Sequence, residues 1–119
     1  MARHDFRFKK DLGQNFLIDA HTAEKIADAP MLTGEEIVLE IGPGIGGLTE
    51  LLAARARKVL ALEIDPFAVR MLQDAFAGED KVEILQGDVL KTDLYALLEE
   101  YFTAGIPVVA VSNLPYYIT

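Results

Sequence analysis

Four polar residues recur along the chain at nearly even intervals: Glu40, Glu63, Asp88 and Asn113, separated by 23, 25 and 25 residues. Each lies at or just past the end of a short apolar run. Three carboxylates and an amide can accept hydrogen bonds from the hydroxyl and amino groups of one polar ligand, provided the chain returns to the same edge each time. The first of them opens the stretch Glu40-Ile-Gly-Pro-Gly-Ile-Gly-Gly47. There Gly42, Gly44 and Gly47 satisfy G-x-G-x-x-G, and Glu63 follows 21 residues after Gly42. A loop of this kind lets the backbone approach a ligand closely, and an acidic residue at that distance suits a ribose diol. Glycines that merely serve a tight strand-to-helix turn fit the same pattern.

The position of Glu40 separates the cofactors that such a loop could take. It stands two residues before the first glycine, where the pyrophosphate of NAD would need donors and not a carboxylate. S-adenosylmethionine carries a sulfonium and an ammonium against one carboxylate, so Glu40 favours that cation. Gly42 and Gly44 then serve its methionine end. Glu63 would accept from both ribose hydroxyls, in bonds worth roughly 1.5–3 kcal/mol each. Asp88, beside the small apolar Val89, would reach the adenine amino group. Taken alone, Asp88 is equally well read as a helix N-cap or a turn aspartate.

The elements that must position these groups are legible as an alternation. Apolar runs at 36–41, 58–64, 81–86 and 106–112 are expected strands. Between them, residues 46–56, 66–77 and 92–104 carry apolar side chains at three- and four-residue spacings and are expected helices. A further helix is expected over 16–29. Pro66 suits a first helical turn, and Gly78 and Gly105 suit helix ends. The runs are mostly apolar on both faces, as in a parallel sheet with helices on each side. The pattern is that of a doubly wound, Rossmann-like α/β domain, in which ligands bind outside the carboxyl ends of the strands.

Composition bounds the rest. A chain of 119 residues holds at most one domain of this kind. It has no cysteine, no apolar leader at its start and no apolar run near the roughly 20 residues that span a bilayer, which together suggest a cytoplasmic protein without a membrane partner. The net charge of -8 argues against a general nucleic-acid binder. Yet Arg3, Arg7, Lys9 and Lys10 face only Asp5 in the first ten residues, so a basic arm precedes an acidic body. That arm could touch phosphate, or be a solvated tail.

With these residues in place the chain resembles the ribosomal RNA adenine N6,N6-dimethyltransferases, most closely their small-subunit, kasugamycin-sensitivity type. The resemblance runs from about Phe8 to Thr119. It is carried by Gly13-Gln-Asn-Phe-Leu17, Val38-Leu-Glu-Ile-Gly-Pro-Gly-Ile-Gly-Gly-Leu-Thr49, Leu62-Glu-Ile-Asp65, Gly87-Asp88 and Asn113-Leu-Pro-Tyr116. It implies a class I fold that binds S-adenosylmethionine through Gln14, Asn15, Phe16, Leu17, Glu40, Gly42, Gly44, Glu63, Ile64, Asp88, Val89 and Asn113, with no metal. Asn113, Leu114, Pro115 and Tyr116 would form the catalytic corner. The implied reaction is double methylation of two adjacent adenosines near the 3′ end of small-subunit RNA, on a pre-30S particle. Gly13 and Leu114 favour this type over the large-subunit, erythromycin-resistance methylases, which more often carry serine and isoleucine there. A non-catalytic RNA- or DNA-binding factor on the same fold is the alternative from another class, and a dehydrogenase domain is disfavoured by Glu40.

The corner has a chemical logic of its own. The adenine N6 lone pair is delocalised into the ring, so the amine attacks a methyl group only once acceptors draw on its N–H groups. Asn113 offers a side-chain carbonyl, and the carbonyls near Leu114 and Pro115 offer more. Pro115 fixes its own φ and biases Leu114 toward extended backbone. Tyr116 would stack on an extruded base, at about 1–3 kcal/mol. A strand-ending turn with its tyrosines packed on the core is the bland reading of the same residues. Family members continue with further strands and a helical domain. Residues 1–119 are therefore expected to form the N-terminal part of the cofactor-binding domain, to bind cofactor at best, and to self-associate through an exposed sheet edge.

Overall fold

The computed structural model describes residues 20–112. The elements alternate in the expected order: α1 (Ala20–Asp28), β1 (Ile37–Ile41), α2 (Gly47–Arg55), β2 (Lys58–Glu63), α3 (Pro66–Ala75), β3 (Val82–Gln86), α4 (Leu94–Thr103) and β4 (Val108–Ser112). The strands form one parallel sheet in the order β3-β2-β1-β4. From β1 the chain builds outward to β2 and β3, then crosses back to place β4 on the other flank. The reversal makes the crevice between the carboxyl ends of β1 and β4 the place where a ligand can enter.

Side-chain alternation sorts the core into two layers. Val38, Val59 and Val111 pack with Ala27 of α1 and with Leu48, Leu52, Ala53 and Ala56 in and just after α2. Ile37, Leu39, Leu60 and Leu62 face the other way, onto Leu98 of α4. β1 and β2 are accordingly buried on both faces. β3 and β4 are not: Glu83, Gln86, Ala110 and Ser112 are exposed, because among the described residues these strands flank the sheet. The expectation of strands covered on both sides thus holds only for the central pair.

Local chemistry sets where the helices begin and end. Asp65 caps α3 by accepting from the Phe67 N–H at 3.0 Å, with Pro66 as the first helical residue. Asp93 caps α4 by accepting from the Ala96 N–H at 3.0 Å. Each aspartate satisfies an orphan donor of the first turn. Helix α4 ends in a Schellman motif: Gly105, at φ 75°, donates to the Phe102 carbonyl and Ile106 donates to that of Tyr101. Ile106 and Tyr101 also pack, partly buried, against the core layer under α4. That closure occupies Ile106, and Pro107 turns its carbonyl to the Ile37 N–H at 2.9 Å, so β4 starts at Val108 and not at 106. Helix α3 likewise stops short of its expected end, with Phe76 as C-cap and a turn through Gly78. Arg55 ties α2 to α1, donating to Asp28 at 3.1 Å and Glu24 at 2.8 Å.

The glycine loop also constrains a residue outside the fingerprint. Gly46 has φ 92°, and a Cβ there would lie 3.0 Å from Leu72 and from Phe76 of the adjoining α3 segment. Gly47, the third glycine of the pattern, has no positive φ and open space around it. Gly46→Ala should therefore cost about 2–4 kcal/mol, combining left-handed strain with overpacking. Gly34→Ala, at φ 98° with nothing near, should cost only about 1–2 kcal/mol. Urea denaturation of both variants in the full-length protein checks the difference; equal losses would mean that packing against α3 is not what constrains Gly46.

Candidate functional site

Glu40 is the fourth residue of β1 and Glu63 the last of β2. By strand alternation Val38, Glu40, Val59, Ala61 and Glu63 share the sheet face covered by α1 and α2. Two carboxylates thus lie toward the same end of one face, beside the glycine loop that links β1 to α2. Both are buried, at 0% and 1% exposure. Burial of a carboxylate without compensation costs several kcal/mol, so their partners decide what each can do.

Glu63 is supported by backbone. Its Oε1 accepts from the Gly44 N–H at 3.4 Å and its Oε2 from the Asp65 N–H at 3.0 Å. The first bond ties β2 to the glycine loop; the second uses the residue that caps α3. Each oxygen keeps acceptor capacity for one further donor. The Gly42 N–H meanwhile donates to the Leu62 carbonyl at 3.0 Å, holding the start of the loop against the end of β2. Gly42 and Gly44, at φ 71° and 62°, take a path that side-chain-bearing residues seldom follow.

Glu40 is held differently. Its Oε1 accepts from the Thr49 hydroxyl at 2.5 Å, and its Oε2 has no hydrogen-bond partner among the described residues. Burial pushes the carboxyl up to about 7, opposed by the Thr49 bond and reinforced by the charge of Glu63. The sequence treats Glu40 as a plain negative charge. The fold makes it a group that shares its proton near neutrality and stays charged most readily when a cation is beside it.

Asp88 lies two residues past β3, at the same end of the sheet as Glu63. Its Oδ1 accepts from the Leu90 N–H at 2.9 Å, and its carbonyl accepts from the Lys91 N–H and the Thr92 hydroxyl. The turn role raised by its sequence context is therefore real, and the helix cap is Asp93 instead. Ile64, directly after Glu63, is 60% exposed, whereas Val89 packs partly into the α4 layer. Gln14, Asn15, Phe16, Leu17, Asn113, Leu114, Pro115 and Tyr116 lie outside the described residues.

Sequence reading missed Thr49, fully buried on α2, and the service that Asp65 gives to Glu63. Thr49 had a signal. It begins the stripe Thr49, Leu52, Ala53, Ala56 that faces the sheet, and a hydroxyl on an apolar stripe needs a partner. Asp65 had none beyond its place before Pro66. Among the described residues no group of three or more metal-ligating side chains is gathered, and no helix is long and apolar enough to cross a membrane.

Comparison with known proteins supports this architecture. Residues 5–119 match the family described as ribosomal RNA adenine dimethylase. The chain is 50% identical, over its whole length and 41% of the relative's, to the ribosomal RNA small subunit methyltransferase A of Geobacillus thermodenitrificans. It is 49% identical, over the same shares, to the protein of that name from Bacillus pumilus. It therefore spans about two fifths of these relatives. Among solved structures, 65% of the chain aligns with 32% of the 23S rRNA methyltransferase ErmE at 40% identity and a TM-score of 0.61. A dimethyladenosine transferase from Plasmodium falciparum aligns over 81% of this chain and 42% of its own at 26% identity and a TM-score of 0.62. The doubly wound sheet, the glycine loop between two buried carboxylates and these matches agree: the chain belongs to the ribosomal RNA adenine dimethylase family.

Proposed function

We propose that the full-length protein transfers methyl groups from S-adenosylmethionine to N6 of two adjacent adenosines near the 3′ end of small-subunit ribosomal RNA, on a pre-30S particle. Residues 1–119 are the N-terminal part of its cofactor-binding domain. The observation that carries this reading is the pair of buried carboxylates, Glu40 and Glu63, on one face of the sheet beside the glycine loop. The small-subunit target rests on the relatives named small subunit methyltransferase A, and on Gly13 and Leu114 in the sequence.

The residues fit such a cofactor. A buried Glu40 oxygen lacks a partner among the described residues, and a cationic ligand supplies what the chemistry of that group requires. Glu63 has one acceptor site left on each oxygen, matching the two hydroxyls of a ribose. Asp88 commits Oδ1 to its own turn and would accept from an adenine amino group through Oδ2, with Ile64 and Val89 as apolar flanks. Gln14, Asn15, Phe16 and Leu17 would close over the ligand from the chain's start. When bound, the cofactor supplies a methyl group made electrophilic by its sulfonium.

The target base would be served by the opposite side of the crevice. Asn113 follows directly on β4, the strand beside β1 across the topological switch. Its amide oxygen, with the carbonyls near Leu114 and Pro115, would accept from the adenine N–H groups and free the lone pair for in-line attack. Tyr116 would hold the extruded ring by stacking. No strong base is needed, since the methylated amine is acidic enough to lose its proton to water.

Glu63→Gln keeps the fold's size and one carbonyl acceptor but loses a charged one. It should weaken S-adenosylmethionine binding about ten- to a hundredfold in calorimetry; unchanged affinity would take Glu63 out of the site. Asn113→Ala should leave a measurable cofactor Kd and remove methyl transfer to small-subunit particles, and retained turnover would sink the mechanism. A titration with NAD in place of S-adenosylmethionine should show no binding.

A further inference from the structure

We infer that Thr49 is a positioning residue for cofactor recognition: its hydroxyl, donated to Glu40 Oε1, holds that buried carboxyl so that Oε2 is left, ionised, to accept from the ammonium of the cofactor. The inference rests on the cofactor reading proposed above and assigns a role to a residue that touches no ligand.

The geometry is specific. Thr49 is the third residue of α2, in its first turn, where the helix offers its hydroxyl no preceding turn of carbonyls to bond. Here it reaches across to β1 and bonds Glu40, and both residues are fully buried. A valine would fill the same space in the apolar stripe without placing a hydroxyl in the core. What the hydroxyl adds is a donor on one carboxyl oxygen, which favours the charged form and leaves the other oxygen as the acceptor.

The groups that bear on Glu40 are few. Ala61 of β2 and Val111 of β4 stand beside it in register, and Thr49 approaches from α2. The intervening loop, residues 41–47, carries no titratable side chain. Glu63, two residues further along β2, is the charged group that acts on it among the described residues, and it favours the protonated form. Thr49 therefore works against both burial and Glu63. Without its bond the proton would stay on Glu40 to higher pH, and a proton on that carboxyl competes with the ammonium for the same site.

The test is the pH profile of S-adenosylhomocysteine binding to the full-length protein, by calorimetry from about pH 6 to about pH 9. This ligand keeps the ammonium and drops the sulfonium, and its own titration is common to every variant. For the wild type, affinity should rise as Glu40 ionises through about pH 7 and level off above about pH 8. Thr49→Val should move that rise to higher pH by about one pH unit, weakening binding roughly three- to tenfold at neutrality with recovery in alkali. Thr49→Ser, which keeps the donor, should restore the wild-type profile. A Thr49→Val profile of wild-type shape, or a folded Thr49→Ser protein that behaves like the valine variant, would overturn the inference. Should Thr49→Val not fold, the Glu40 carboxyl carbon followed by NMR in the wild type decides. It should titrate near neutrality when free and at lower pH with ligand bound, and a titration unmoved by ligand overturns the inference. A wild type that binds no S-adenosylhomocysteine at any pH would instead remove the cofactor reading itself.

Discussion

The rest of the structure is arranged around a carboxylate in a strand sealed on both faces. β1 runs through the middle of the sheet, with α1 and α2 over one side and α4 over the other, so Glu40 has no lateral route to water. Its ionised form is costly, and the fold offsets that cost with a single hydroxyl. Because the folded carboxyl holds its proton to higher pH than an unfolded one, the stability this group contributes is full at acid pH and lost as pH rises toward about 7. Above about pH 7 the protein thus holds a buried charge at the expense of stability, as is common where functional groups sit in a core.

That constraint explains the supporting details. Glu40 lies near the carboxyl end of a central strand, directly before the glycine loop and under the first turn of α2. Gly46 lets the chain turn back tightly enough for α2 to start against α3, which places Thr49 over Glu40. Glu63, one strand over, fixes the loop from the other side through the Gly44 N–H, and is fixed in turn by the N–H of the residue that caps α3. The two acids are therefore connected through backbone, and a change in the loop is felt by both.

The strand order gives the site its two sides. With β2 and β3 on one flank of β1 and β4 on the other, the carboxyl ends of β1 and β2 supply Glu40 and Glu63, and β4 ends at Ser112, the residue before Asn113 in the sequence. Under the proposed function, cofactor-facing and base-facing chemistry would lie on opposite sides of the topological switch, the geometry that a direct transfer between two bound molecules requires.

Much of this was legible in the residues. Helical periodicity, the alternation of apolar runs, Pro66 and Gly105 at helix ends, and the even spacing of Glu40, Glu63 and Asp88 all predict where the chain goes, because each is a local constraint on backbone or burial. The family resemblance, carried by Gly13-Gln-Asn-Phe-Leu17, the glycine loop and Asn113-Leu-Pro-Tyr116 together, is a property of sequence as well. Only tertiary structure decided the rest. It showed that of the two adjacent glycines before α2 the constrained one is Gly46 and not Gly47, since the clash comes from α3, some 26 residues on. It showed that Asp88 spends one oxygen on its own turn, that β3 and β4 are half-exposed, and that Glu40 answers to Thr49. These depend on contacts across elements, and on the removal of water that only packing achieves. A sequence records which groups can ionise; how strongly each holds its proton is set by what the fold brings beside it.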